Sequence, residues 1–208
     1  LLERLEYTCC QGSVEQEVST VEYDSRKVIE NSLFICIKGA VVDGHKFVPD
    51  VVAKGAKTLV VQDDVEAPQD VTVIKVEDTR YAMAFISAAY FGYPAEKLKT
   101  IGITGTKGKT TTSFMTKAIL EKEGKKVGLI GTIATYINGK RIKDSDRTTP
   151  ESLELQQTFR QMVDEGVEVC VMEVSSQSLK LNRVAGCQFD IAVFTNFSED
   201  HILSLIHI

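Results

Sequence analysis

Gly102-Ile103-Thr104-Gly105-Thr106-Lys107-Gly108-Lys109-Thr110-Thr111-Thr112 joins an apolar run to a helical pattern. A glycine-rich turn placed there aims backbone N–H groups at an anion, and the helix N-terminus behind it adds its dipole. Such residues serve phosphoryl transfer. Lys109 would reach the β- and γ-phosphates of a nucleotide, and the Thr110 hydroxyl would sit on Mg2+. The strict pattern G-x-x-x-x-G-K-[ST] requires glycine at 103, where Ile103 stands, so the loop is a variant with glycines at 102, 105 and 108. A surface turn before an ordinary helix could share this composition. The Gly-Lys-Thr triplet between strand and helix favours the phosphate loop.

Two more polar clusters close apolar runs. Glu173 lies in Val171-Met172-Glu173-Val174, followed by Ser175 and Ser176. An ionised carboxylate in such a stretch is costly unless it is paired or binds a metal, and Mg2+ favours one or two carboxylates beside substrate phosphates. The plain alternative is a strand-end glutamate that reaches solvent or a lysine. Further on come Thr195-Asn196 and Glu199-Asp200-His201. A lone histidine is commonly structural, but Asp200 and the strand end beside His201 favour a role in the site. Thr148-Thr149-Pro150-Glu151 reads as a helix start, with Thr149 as N-cap and Pro150 at the first helical position. That reading is compatible with anion binding. Asp24-Ser25-Arg26 and Asp43-Gly44-His45 read, taken alone, as polar turns.

The elements that must position these residues form two blocks, separated near Phe91-Gly92-Tyr93-Pro94-Ala95-Glu96 by Pro/Gly punctuation. Residues 1–94 and 95–208 are the expected domains. The first block carries strands over 33–37, 58–61 and 71–76 and helices over 47–54 and 79–90, a small α/β domain. The second carries strands over 99–104, 127–130, 167–174 and 190–195, with helices over 109–123 and 150–165. Near-continuous apolar strands joined by helices predict a mostly parallel sheet buried on both faces. Ligands of such sheets bind beyond the carboxyl ends of the strands. The three polar clusters follow three strands of this block, so they should converge on one ligand.

The chain has 208 residues, 43% hydrophobic and 25% charged, with net charge −5. This is a globular balance with no basic footprint for nucleic acid. No apolar run is long enough to span a bilayer, and no signal peptide is visible. Five cysteines without a C-x-x-C pair point to a reduced, cytoplasmic protein.

In order along the chain, these segments resemble the Mur ligase family, and within it the MurE type, over about residues 15–202. The matching pieces are Asp24-Ser25-Arg26 with Leu33-Phe34, Asp43-Gly44-His45-Lys46-Phe47, Gly55-Ala56 and the Gly-Thr-Lys-Gly-Lys-Thr-Thr loop. Thr148-Thr149-Pro150, Met172-Glu173-Val174-Ser175-Ser176-Gln177 and Thr195-Asn196-Phe197-Ser198-Glu199-Asp200-His201 complete them. Asp-Ser-Arg and Asp-Gly-His also suit the MurF type, whereas Glu-Val-Ser-Ser-Gln and Thr-Asn-x-Ser-x-Asp-His favour MurE.

The resemblance implies a UDP-substrate domain followed by a P-loop central domain. It also implies a ligase that uses ATP and Mg2+ to activate UDP-N-acetylmuramoyl-L-alanyl-D-glutamate as an acyl phosphate. The amino group of L-lysine or meso-diaminopimelate then attacks, in peptidoglycan synthesis. Gly105, Thr106, Lys107, Gly108, Lys109, Thr110 and Thr111 match the ATP loop. Ser25 matches a contact to the UDP end, and Thr148, Thr149, Ser175 and Arg183 match contacts to the muramoyl-peptide. Glu173 and His201 match magnesium ligands beside Thr110; Lys109, Glu173 and His201 are the expected catalytic set. A monomer is expected.

Past His201 the family continues Leu-Asp-x-His-Gly, and a lysine that becomes carbamylated follows about twenty residues on. Here Ile202-Leu203-Ser204-Leu205 departs from that pattern. The chain is therefore expected to be an N-terminal fragment, without the amino-acid-binding domain and inactive alone. A MurF-type ligase and a non-catalytic nucleotide-binding module are the rival readings. A generic P-loop kinase or GTPase would need a Walker B aspartate where Glu173 stands.

Overall fold

The computed structural model describes residues 1–39 and 42–198. The chain divides into two compact units, Leu1–Ile86 and Ser87–Ile208. In the first, β1 (Thr8–Gln11), β2 (Thr20–Glu22), β3 (Ser32–Ile35), β4 (Thr58–Val61) and β5 (Thr72–Lys75) form one sheet in the order β1-β5-β4-β3-β2. β2 to β5 run parallel, and β1 pairs antiparallel with β5. Strands β3 and β4 are buried along their whole length, as continuous apolar runs in parallel sheets require. Helix α1 (Val48–Ala53) contributes Val48 and Val51 to a core with Phe34, Cys36 and Leu59. Burial, and secondarily Asp43, pushes the Cys36 thiol up to about 12, so it acts as a small hydrophobe.

His45 clamps this unit. It lies in a one-turn 3-10 segment, Gly44–Phe47, capped by the Asp43 side chain. Its Nδ1 is 2.6 Å from Asp43 Oδ1, and its Nε2 accepts from the backbone N–H groups of Gln62 and Asp63 at 3.1 and 3.3 Å. Nε2 is therefore the acceptor, and Nδ1 carries the proton donated to Asp43. These hydrogen bonds hold the Asp43 carboxyl below the usual carboxylate range. Asp43, His45 and Asp63 are close enough to group around a cation, but both ring nitrogens of His45 are already committed.

In the second unit, β6 (Lys99–Thr104), β7 (Val127–Ile130), β8 (Ala134–Ile137), β9 (Lys140–Asp144), β10 (Val169–Glu173) and β11 (Ile191–Phe194) form a sheet ordered β11-β6-β10-β7-β8-β9. Its first four strands in that order are parallel. Helix α2 (Thr79–Tyr90) runs across the division between the units. Side chains alternate across the strands. Cys170 and Met172 of β10 pack with Leu155, Phe159 and Met162 of α4 (Ser152–Asp164). Val171 faces the other way, into a cluster with Ile103, Leu129 and Phe114 of α3 (Lys109–Lys122). The α/β class with mostly parallel sheets agrees with the expectation.

The antiparallel β8–β9 ribbon was not expected. Its turn, Asn138-Gly139, has positive φ at both residues (49° and 79°), the dihedral requirement of a type I′ hairpin. All five residues of β9 are exposed, so no burial alternation marks it as a strand.

Replacing His45 by Ala leaves the N–H groups of Gln62 and Asp63 without their acceptor. The expected loss is about 1–3 kcal/mol of stability, read as a lower urea midpoint. An unchanged midpoint would remove the clamp.

Candidate functional site

Thr104, Ile130, Glu173 and Phe194 end the four parallel strands. The segments that follow them meet at that edge. After β6, Gly105 and Gly108 adopt φ of 131° and 82°, and the loop enters α3 at Lys109. A Cβ on Gly105 would lie 2.2 Å from Thr195 Oγ1, so only glycine fits. The segment after β11 braces the loop. Asn196 O accepts from Thr106 N at 3.0 Å, Asn196 Oδ1 accepts from Lys107 N at 3.0 Å, and its Nδ2 donates to Lys107 O at 2.9 Å. The Lys109 ammonium donates to the Gly105 and Thr106 carbonyls at 2.6 and 3.3 Å, which keeps it over the loop.

Glu173 shares the α3 face with Val171, two residues earlier, and so ends β10 beside the start of α3. It is 0% exposed. Its described partners are all neutral donors. The Thr110 hydroxyl donates to Oε2 at 2.9 Å, the Thr132 hydroxyl to Oε2 at 3.0 Å, and the Thr132 N–H to Oε1 at 3.0 Å. A Cβ on Gly131 would stand 2.3 Å from Oε1, so glycine there admits the carboxylate. A buried, ionised carboxylate with hydroxyl and amide partners is incompletely compensated.

Next to it, the Thr148 and Thr132 hydroxyls are 3.1 Å apart. The Thr149 hydroxyl donates to Glu173 O at 2.9 Å and accepts from Ser175 N at 3.0 Å. This corrects the expectation of Thr149 as N-cap: α4 starts at Ser152, its N-cap is Glu151, and Pro150 precedes the helix. The Thr149 hydroxyl is used instead to tie the turn to the end of β10. Ser175 caps α5 (Ser176–Lys180) by accepting from Ser178 N at 3.1 Å, which leaves its own proton to donate.

Residues 103–204 match the Mur ligase middle domain, and residues 17–91 match the catalytic domain of the Mur ligase family. The chain belongs to the Mur ligase family. It is 55% identical over 202 residues to the UDP-N-acetylmuramoyl-L-alanyl-D-glutamate–2,6-diaminopimelate ligase of Clostridium perfringens, covering 97% of this chain and 42% of that protein. The enzyme of the same name from Clostridium botulinum is 54% identical, again over 97% of this chain and 42% of the relative. The chain thus spans less than half the length of the curated relatives it matches. A solved ligase of that name superposes with TM-score 0.77 at 26% identity, over 90% of this chain and 38% of that one. MurF from Acinetobacter baumannii gives TM-score 0.55 at 25% identity, over 86% and 36%.

In this Mur ligase chain, the residues matched to the ATP loop, Glu173, Thr148, Thr149 and Ser175 therefore lie along one sheet edge. Ser25 belongs to the first unit. There its carbonyl accepts from Lys54 Nζ at 2.7 Å, and Arg26 pairs with Asp24, holding that carboxyl down to about 2. Glu199, Asp200 and His201 lie outside the described residues. Thr132 and Asn196 complete the site without having been assigned a role from sequence. The signal for each was its place just after an apolar strand.

Glu173 and Thr110 suit Mg2+. Both offer hard oxygen of the kind Mg2+ prefers, and Thr110 Oγ1 and Glu173 Oε2, 2.9 Å apart, are close enough for both to hold one ion.

Arg183 is 7% exposed. Two of its three nitrogens are engaged within the protein: NH2 pairs with Glu151 Oε1 at 2.8 Å, and NH1 donates to Thr149 O at 3.2 Å, while the buried Nε has no hydrogen-bond partner among the described residues. Arg147 also reaches Glu151. Arg183→Met should therefore lower stability by about 3 kcal/mol, the low end for a broken buried pair because Arg147 remains. A melting temperature equal to wild type would show the pair to be dispensable.

Proposed function

We propose that the whole protein carrying this chain is an ATP-dependent amide ligase of peptidoglycan synthesis. It joins 2,6-diaminopimelate to UDP-N-acetylmuramoyl-L-alanyl-D-glutamate and acts as a cytoplasmic monomer. The observation that carries the reading is the Lys109–Thr110–Glu173 constellation beside Thr148 and Thr149, on one edge of a parallel sheet. The names of the clostridial relatives support the choice of amino acid. The higher TM-score of the diaminopimelate ligase supports this reading over the MurF type.

Two substitutions at carbon and phosphorus complete the reaction. A carboxylate oxygen of the precursor attacks the γ-phosphorus of ATP, and ADP leaves. The diamino acid's amine then attacks the acyl carbon, phosphate leaves, and the amine loses a proton. Transfer of this kind depends on positioning and charge neutralisation. Lys109 supplies a cation and the loop N–H groups supply dipoles; Thr148, Thr149 and Ser175 offer hydroxyls to the precursor, while Arg183 stiffens the turn that carries them. Ser25 is assigned to the UDP end. Mg2+, when bound by Glu173, Thr110 and His201, would add charge stabilisation at the phosphates. Five free cysteines, two of them fully buried, suit a reducing compartment, and among the described residues no helix is long and apolar enough to cross a membrane.

Lys109→Ala in the full-length enzyme should cut precursor-dependent ADP release on the order of 1,000-fold, with precursor affinity by calorimetry held within about twofold. Retained turnover would overturn the phosphate-site assignment. A full-length protein that binds nucleotide but never releases ADP would instead be a binding module.

A further inference from the structure

Thr132 is the residue on which the two halves of the site meet. Its side chain stands between Glu173 and Thr148, at 3.0 and 3.1 Å, and its N–H holds the other oxygen of Glu173. A hydroxyl has one proton to give, and an ionised carboxylate can only accept. The Thr132 proton therefore goes to Glu173, and the Thr148 hydroxyl donates to Thr132. The result is a directed relay, Thr148 to Thr132 to Glu173, from the precursor side to the nucleotide side.

We propose that Thr132 is a positioning residue that couples precursor binding at Thr148 to the affinity of the Glu173 side for Mg2+–nucleotide. This rests on the ligase reading above. Hydrogen bonds in a chain polarise one another. An anionic oxygen of the precursor that captures the Thr148 proton removes the donor to Thr132. Thr132 then donates less strongly to Glu173, and more of the carboxylate's charge is available to a cation. The coupling is positive and, being a binding linkage, reciprocal.

The test is calorimetry on the full-length protein, titrating Mg2+–ADP with and without saturating UDP-N-acetylmuramoyl-L-alanyl-D-glutamate. Wild type should bind Mg2+–ADP about fivefold or more tightly when the precursor is present. Thr132→Ser keeps the hydroxyl and should keep the enhancement. Thr132→Val keeps the shape and the N–H but never donates from its side chain to Glu173, so it should bring the enhancement within twofold by raising the precursor-free affinity for Mg2+–ADP towards the precursor-bound wild-type value. Thr132 is exposed, so neither change burdens the core. Wild type that binds both ligands independently overturns the coupling whatever the variants do, as does a Val variant with undiminished enhancement. Wild type that binds neither ligand refutes the ligase reading itself.

Discussion

A carboxylate placed at the end of a central parallel strand, with no surface in water, sets the terms for everything around it. Alternation along β10 sends Cys170 and Met172 into the α4 core and Val171 towards α3, so Glu173 must face α3 as well. At that position the start of α3 brings Thr110 within hydrogen-bond reach, and the end of β7 brings Thr132. Removing an ion from water costs several kcal/mol, and three neutral donors recover only part of that. This donor set is the basis on which Glu173 is proposed as a magnesium ligand. The glycine at 131 follows from the same constraint, because any side chain there would occupy the carboxylate's place.

The turn that carries Thr148 and Thr149 is stiffened by a separate set of contacts. Thr149 bridges Glu173 O and Ser175 N, and Arg183, inside the fold, locks the carbonyl of Thr149 to Glu151. The turn that carries Thr148 is thus pinned from below, which leaves its hydroxyl as the adjustable part. In the glycine loop after β6, Asn196 pairs with Lys107 through both ends of its amide, as a peptide group would. A loop of glycines needs such bracing, since glycine gives up more conformational freedom on ordering than any other residue.

Much of this was legible without coordinates. The glycine loop between β6 and α3 announced itself through residue type and spacing, and the parallel sheet through continuous apolar runs separated by helical periods. The strands ending at Glu173 and Phe194 followed from those runs, with each end expected one residue later, at 174 and 195. The short strands β1 and β2 and the β8–β9 ribbon were not legible: β1 and β9 are largely exposed and β2 spans three residues. Burial periodicity, the usual signal, was missing there, and for the ribbon the Asn138-Gly139 turn was the only local clue.

Local chemistry in the sequence alone determined that this chain carries a glycine-rich loop between a strand and a helix and a costly apolar-flanked glutamate. Both signals lie within a few residues of chain. Only the tertiary structure decided how the hydroxyls are spent. Thr149, a natural helix cap by local preference, serves the end of β10. Arg183, a natural anion fork, pairs with Glu151 through NH2 and reaches the Thr149 carbonyl through NH1. Thr132, unremarkable in sequence, becomes the contact between the two sides of the site. The reason is that a side chain's partners are set by which strand ends lie side by side, and the order β11-β6-β10-β7 places together residues that the chain separates by dozens of positions.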